Sequence, residues 1–256
     1  MIHPSAIIDP DARIADDVSI GPFSVVGADV EIGSGCVIGS HVVVKGPTTI
    51  GKHNQIFQFA SVGEDPQDKK FQGEVTRLEI GDNNVIREGC TLNRGTAQDL
   101  GVTSIGNDNL IMAYVHIAHD CVVKNNTILA NNVALAGHVT IDDYAILGGY
   151  TLVHQFCVIG QHAFTAMGSV LPKDVPPYVL ASGHMAKPFG LNIEGLKRRG
   201  FSTEVMRDLR RAYKLIYKSG ITTEQAVQQI RALNPASGEI ALLADFIEKS
   251  QRGIVR

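Results

Sequence analysis

Residues 105–164 read IGNDNL IMAYVH IAHDCV VKNNTI LANNVA LAGHVT IDDYAI LGGYTL VHQFCV IGQHAF, ten consecutive hexads that each open with Ile, Val or Leu. A period of six matches neither the 3.6-residue turn of a helix nor the plain alternation of a half-buried strand. It suits a parallel β-helix in which three hexads close one triangular coil, so that eighteen residues bring the chain back above its starting point. The opening aliphatic then points inward. The fifth residue also turns inward, at a tighter place, and its occupants here are Asn109, Val115, Cys121, Thr127, Val133, Val139, Ala145, Thr151, Cys157 and Ala163. They are small or β-branched, with one polar exception. Coils stacked about 4.8 Å apart pair with those above and below, so the backbone groups are satisfied without hairpins.

The count extends in both directions. Ile2, Ile8, Ile14, Ile20, Val26, Ile32, Ile38, Val44, Ile50, Ile56 and Val62 open eleven hexads in one phase, and Ile80, Ile86 and Leu92 keep that phase beyond an interruption at Gly63–Glu79. That segment is therefore a loop thrown out of a continuing coil. A second interruption, at about 95–104, shifts the phase by one. Loops leaving a rigid scaffold are where binding residues tend to sit. After Thr165 the pattern fades, and Lys173-Asp174-Val175-Pro176-Pro177 ends it. From Asn192 the period becomes helical. Met206, Leu209, Tyr213, Ile216 and Tyr217 share one face of a helix that Ser202 caps and Gly220 ends. Thr222 with Gln225 reads as a capping box for a second helix, stopped by Pro235, and Ser237 opens a third bearing Ile240, Leu243 and Ile247. The expected architecture is mainly β: a parallel β-helix over 1–190, a triangular prism with loops at about 63–79 and 95–104, then a small α-helical domain over 191–256.

A narrow aliphatic column explains the scarcity of aromatic residues and the absence of Trp. The formal charge of −3 argues against a general binder of nucleic acid or anionic membranes. The average hides an asymmetry. Residues 1–191 carry 11 Lys and Arg against 19 Asp and Glu, whereas residues 192–256 carry 12 against 7, so the basic tail suits an acidic partner. Cys36, Cys90, Cys121 and Cys157 all fall at the fifth place of a hexad, where a buried thiol is a small filler rather than a metal ligand or half of a disulfide. No apolar run reaches the ~18 residues of a membrane span. The repeat begins at Ile2, which leaves no room for a signal peptide and predicts a cytoplasmic protein. A prism with a dry interior has no internal pocket. A ligand must sit on an outer face, under a loop or between prisms, which points to an oligomer of closed symmetry.

His116, His119, His138, His154 and His162 crowd into one part of the chain. His119, Gly137 and Gln155 are eighteen residues apart and stack in one column, with Asp120 and His138 in the column beside it. Four imidazoles, one carboxylate and a glycine thus gather on one edge within ~10 Å of height. A neutral His takes a proton from a hydroxyl near pH 7, and Asp120 set against His119 would fix its tautomer and stabilise the imidazolium. Neither Ser nor Cys stands on these columns, so direct attack by a substrate hydroxyl fits better than a covalent intermediate.

Hexads of this kind resemble the left-handed β-helix acyltransferases, an accepted exception to right-handed crossovers. The runs AHIAHDC around His116 and His119, LANNVALAGHV from Leu129 to Val139, VHQF from Val153 to Phe156 and FGLNIEGLKRRGF from Phe189 to Phe201, with the Gln67-Asp68-Lys69-Lys70 loop, narrow the likeness to the UDP-N-acetylglucosamine O-acyltransferases that begin lipid A synthesis. The resemblance implies a homotrimer without a cofactor or metal, moving an (R)-3-hydroxyacyl group from acyl carrier protein to the sugar 3-hydroxyl at sites between subunits. His119 would be the general base, Asp120 its orienting partner, and the Gly137 N–H an oxyanion donor. Lys70, His116, His138 and His154 would hold the sugar nucleotide and the acyl hydroxyl. Gln67, Asp68, Gln155, Asn192, Glu194 and Arg198 would complete the two binding sites. Two positions depart from the family pattern: Ser182-Gly183-His184-Met185-Ala186, where Gly-Asn-His is usual, and Met167, where long-chain members carry Gly, so that a donor of about ten carbons is expected. Other readings are the N-acyltransferase of the same pathway, a zinc-dependent γ-carbonic anhydrase, and a non-enzymatic β-solenoid.

Overall fold

The computed structural model describes residues 1–256 as a left-handed parallel β-helix that ends in a group of helices. Successive short strands are dealt in turn to three sheets of nine, eight and ten strands. Face 1 runs from Ile7–Ile8 to Val170–Leu171, face 2 from Arg13–Ile14 to Val158–Ile159, and face 3 from Ser19–Ile20 to Val179–Ser182, with an added strand at Lys187–Leu191. Regular coils repeat every eighteen residues, as where Val122 pairs with Thr140 and Thr140 with Val158. Ile117, Leu135 and Val153 stack inside face 1 with almost no exposure. Each contributes about 1.5–3 kcal/mol by leaving water.

The register explains the phase of both interruptions. Across the first loop Thr48 pairs with Leu78, thirty positions on rather than eighteen, an excess of two whole hexads. Across the second, Arg77 pairs with Val102 and Leu92 with Ile117, twenty-five positions on, an excess of one hexad plus one residue. Paired strands extend into the ends of both loops, to Glu64 and from Arg77 in the first, to Asn93 and from Val102 in the second. Both loops leave where the chain passes from face 1 to face 2.

The fourth place of nearly every hexad lies in the left-handed region, including Asp120 (φ 58°), His138 (φ 64°) and Phe156 (φ 65°). Such φ values strain a non-glycine residue, but the corner N–H groups at the site find acceptors in the coil below: His138 N–H donates to the His119 carbonyl at 3.0 Å, and Phe156 N–H to the Gly137 carbonyl at 3.2 Å. At the fifth place all four cysteines are buried and unpaired. Asn109 has company there. Asn54 accepts from the amide nitrogens of Asn84, Asn84 from the Asn109 N–H, and Asn109 from Thr127, while their side-chain amides donate to Gly81, Gly106 and Lys124 carbonyls. The buried amides form a satisfied ladder.

The coil outlasts the hexad pattern. Val170–Leu171 and Val179–Ser182 still add strands, and Lys187–Leu191 turns back antiparallel on the latter. Helices follow: α1 (Ile193–Arg198), α2 (Thr203–Tyr217), α3 (Thr223–Leu233) and α4 (Gly238–Lys249). Ser202, Thr222 and Ser237 cap the last three, and the Thr222–Gln225 capping box is closed. Leu209, Ile216, Ile230 and Leu243 build a second apolar cluster, under which Tyr213 and Tyr217 also touch the prism core. The C-terminus returns to the prism, where Gly253 accepts from the Asp174 N–H and Val255 N–H donates to the Asp174 carbonyl.

Candidate active site

His119 and Asp120 stand at the corner between faces 1 and 2, one coil below Gly137 and His138. The left-handed φ of Asp120 turns its carboxylate back beside the preceding imidazole, and His119 Nδ1 lies 2.9 Å from Asp120 Oδ2. Asp120 is buried, whereas the His119 ring keeps a little access to solvent. Thr96, from the second loop, donates its hydroxyl to Oδ2 at 2.6 Å and its N–H to Oδ1 at 2.9 Å. The Asp120 N–H donates to the Thr103 hydroxyl at 2.8 Å. Burial pushes the Asp120 carboxyl up, yet the hydrogen bonds from His119 and Thr96 together with nearby His138 outweigh it and hold the group below the ordinary carboxylate range. An ionised Asp120 only accepts, so Nδ1 of His119 carries the proton and Nε2 offers its lone pair.

Gly137 is glycine for a steric reason. A Cβ there would stand 2.5 Å from His119 Cε1 and 2.7 Å from Nε2. The Gly137 N–H has no acceptor within the chain. His138 meets His119 edge-on, stacks flat on Phe156 with centroids 4.3 Å apart, and has Nδ1 2.5 Å from Asp99 Oδ2. His116 contacts the Thr91 hydroxyl through Nδ1 at 2.7 Å, and burial, with a smaller contribution from His119, lowers its pKa and keeps it neutral. His154 and Gln155 are exposed one coil higher, where Arg252 from the C-terminal segment donates to His154 Nδ1 at 3.0 Å.

His119, Asp120 and His138 bring one donor atom each within 4.8 Å of one another, which is within the reach of a metal ion. The donors are already engaged: Thr96 and His119 occupy Asp120, and Asp99 occupies His138. His119 and Asp120 are hydrogen-bonded to each other, and His138 is bonded separately to Asp99.

One chain therefore brings His116, His119, Asp120, Gly137, His138, His154 and Gln155 to a single edge. Gln67, Asp68 and Lys70 lie on the first loop, which leaves the same edge lower down, with Asp68 Oδ1 accepting the Lys70 N–H at 3.0 Å. The remaining residues lie elsewhere. Met167, 81% exposed, stands at the corner between faces 3 and 1. Asn192 caps α1 and donates to the His162 carbonyl at 3.0 Å, while on that helix Glu194 pairs with Lys197 and Arg198 is exposed. Sequence reasoning missed Thr91, Thr96, Asp99, Phe156 and Arg252. The edge from which the second loop departs was the signal that pointed to Thr96 and Asp99.

A hexapeptide prism with a His–Asp pair on one edge and a basic helical tail defines a transferase of the hexapeptide-repeat class. Residues 11–46 and 103–137 match the bacterial transferase hexapeptide model, and residues 174–255 match domain 2 of UDP N-acetylglucosamine O-acyltransferase. Proteins named acyl-(acyl-carrier-protein)–UDP-N-acetylglucosamine O-acyltransferase from Thiobacillus denitrificans and Pseudomonas aeruginosa are each 58% identical over 100% of this chain and 99% of their own. Among solved structures, the Acinetobacter baumannii enzyme (55% identity, TM-score 0.98, 100% and 99% covered) and the UDP-N-acetylglucosamine acyltransferase of Arabidopsis (36%, 0.88, 100% of both) share the whole fold. The chain belongs to the UDP-N-acetylglucosamine O-acyltransferase family and is an acyltransferase. No helix is long and apolar enough to cross a membrane.

Proposed function

We propose that this acyltransferase moves an (R)-3-hydroxyacyl group of about ten carbons from acyl carrier protein to the 3-hydroxyl of UDP-N-acetylglucosamine, the first step of lipid A synthesis, as a cytoplasmic homotrimer. The observation that carries the reading is the His119–Asp120 pair set against Gly137. Nε2 of His119 takes the proton of the sugar 3-hydroxyl as its oxygen attacks the thioester carbonyl, and Asp120 stabilises the imidazolium that forms. The unpaired Gly137 N–H faces the developing oxyanion, where a preorganised donor acts most strongly. Collapse breaks the C–S bond, and the departing thiolate of the carrier arm takes the proton from His119. No covalent acyl-enzyme is required.

The neutral, partly buried His116, the partly buried His138 and the exposed His154 and Gln155 line the approach from either side of His119, and Gln67, Asp68 and Lys70 stand on the loop that leaves the same edge below it. Asn192, Glu194, Arg198 and Met167 leave other edges, so they join the site only when a neighbouring copy supplies them. That is the argument for the trimer. The basic face of α2 receives the acidic carrier. The test is to incubate the purified protein with UDP-N-acetylglucosamine and a ladder of 3-hydroxyacyl carrier proteins and to weigh the product. A 3-O-acylated sugar nucleotide formed fastest from the ten-carbon donor is expected; absence of any acylated nucleotide would overturn the reading.

A further inference from the structure

Two imidazoles compete for Asp120. His119 Nδ1 lies 2.9 Å from Oδ2 and His138 Nδ1 lies 3.9 Å from the same oxygen, so a modest rotation of the carboxylate would exchange one partner for the other. What prevents the exchange comes from the second loop. Thr96, 1% exposed although it lies in a loop, donates through both hydroxyl and N–H to the two oxygens of Asp120, and its hydroxyl has no other partner. Three residues on, Asp99 occupies Nδ1 of His138. The loop is itself fastened. The Arg94 guanidinium is almost wholly buried, donates to the Gly46 and Gly63 carbonyls at 3.0 and 2.8 Å, and pairs with Asp65 of the first loop. At Gly95 a Cβ would fall 2.2 Å from the Val102 nitrogen, so this backbone packs too closely for any side chain.

We propose that Thr96 is a positioning residue that aims Asp120 at His119 and thereby fixes the tautomer leaving Nε2 free, with Asp99 removing His138 from the competition. The inference rests on His119 as the base. A buried hydroxyl is costly without a partner, and a hydrogen bond to a charged acceptor is stronger than one between neutral groups. In Thr96→Val the volume and the N–H remain, but Oδ2 loses one donor and the carboxylate is free to turn away from His119.

The test uses the full-length protein labelled with nitrogen-15 in histidine, with the His119 signals assigned by their loss in His119→Ala. Wild type should show neutral His119 as the single Nδ1–H tautomer. Thr96→Val should show a mixture, with kcat lowered about tenfold or more and KM for the nucleotide unchanged, and Thr96→Ser should restore both the tautomer and kcat. Retention of the pure Nδ1–H tautomer in Thr96→Val would overturn the proposal, as would failure of Thr96→Ser to rescue. If the valine side chain perturbs folding, Thr96→Ala gives the same tautomer readout without the branched methyl. An active His119→Ala enzyme would instead remove the base assignment, while the tautomer would still decide the role of Thr96.

Discussion

A left-handed corner does at Asp120 what an ordinary turn does not: it folds a buried carboxylate back against the imidazole one residue earlier, while Thr96 closes its far side. Because the His119 ring lies outside the aliphatic column, His119→Ala should lower kcat by ~10²–10⁴-fold in a protein that still folds; near-normal turnover in the folded variant would remove the base. His162 shows the opposite use of a corner. It is sandwiched between Tyr144 and Tyr178 and met edge-on by Phe201, with Nδ1 buried and unpartnered. Burial lowers its pKa to about 4, Arg199 adds to the effect, and Asp143 opposes it. In the unfolded chain an imidazole returns to about 6.5, so between those values the unfolded state binds more protons than the folded one. Stability is therefore complete above pH ~6.5 and drains away as the pH falls toward 4. Melting temperatures taken from pH 7 to 4.5 should fall more steeply for wild type than for His162→Phe, and parallel curves would show that another group governs the acid limb.

The helices display their logic locally. Ser202, the Thr222–Gln225 box and Ser237 are short-range signals, and the structure places a cap at each. The strands were equally legible, because the aliphatics that open the hexads from Ile2 to Leu92 follow one count that survives a loop of two hexads' excess. Elements set by long-range contacts were not. Lys187–Leu191 contains Pro and Gly and becomes a strand only because Val179–Ser182 offers it an edge; α1 is six residues long and depends on Asn192 for its cap. For the candidate site, the stacking of His119 under Gly137 could be counted from the sequence, whereas the fold of the second loop onto Asp120 could not, since nothing in its spacing aims Thr96 inward. Helix α2 carries a prediction of its own. Arg210, Lys214 and Lys218 border a groove of about 350 Å³ whose floor includes Leu191, Ile193 and Tyr213, a cationic rim over an apolar bed. Reversing charge at Arg210 and Lys214 should raise KM for the acyl carrier protein far more than KM for the sugar nucleotide. The wild-type KM for the carrier should also rise with salt, as steering between opposite charges is screened. Equal losses for both substrates would exclude a docking role for this helix.

On the function proposed above, acyl length would be set at the scale of the whole molecule, by geometry that no single coil contains. His119 and Met167 both occupy the third place of a hexad, but forty-eight residues lie between them, two full coils and two further hexads. They therefore leave different edges, His119 between faces 1 and 2 and Met167 between faces 3 and 1, separated by roughly 13 Å along the axis and by the full width of face 1. In the homotrimer proposed above, a channel that starts at His119 and ends against Met167 would be built from two copies, with the edge of one prism facing the edge of its neighbour in a closed ring. Met167 is 81% exposed in the single chain, so its side chain is free to form such a wall. Relative to Gly, the methionine would add four heavy atoms to that wall, the room of about four methylenes, so the proposed channel would be shortened from about fourteen carbons to about ten. Overfilling a packed space costs ~1–3 kcal/mol, and at ~1.4 kcal/mol per decade the ten-carbon donor should be preferred about tenfold or more. In Met167→Gly the preference should move to the fourteen-carbon donor, with kcat on that donor approaching the wild-type value on ten, because the base and its partners on the other edge are untouched. Competition between the two donors in one reaction, read by product mass, decides it; an unchanged preference in the variant, or a wild type that already selects fourteen carbons, would place the end of the channel somewhere other than Met167.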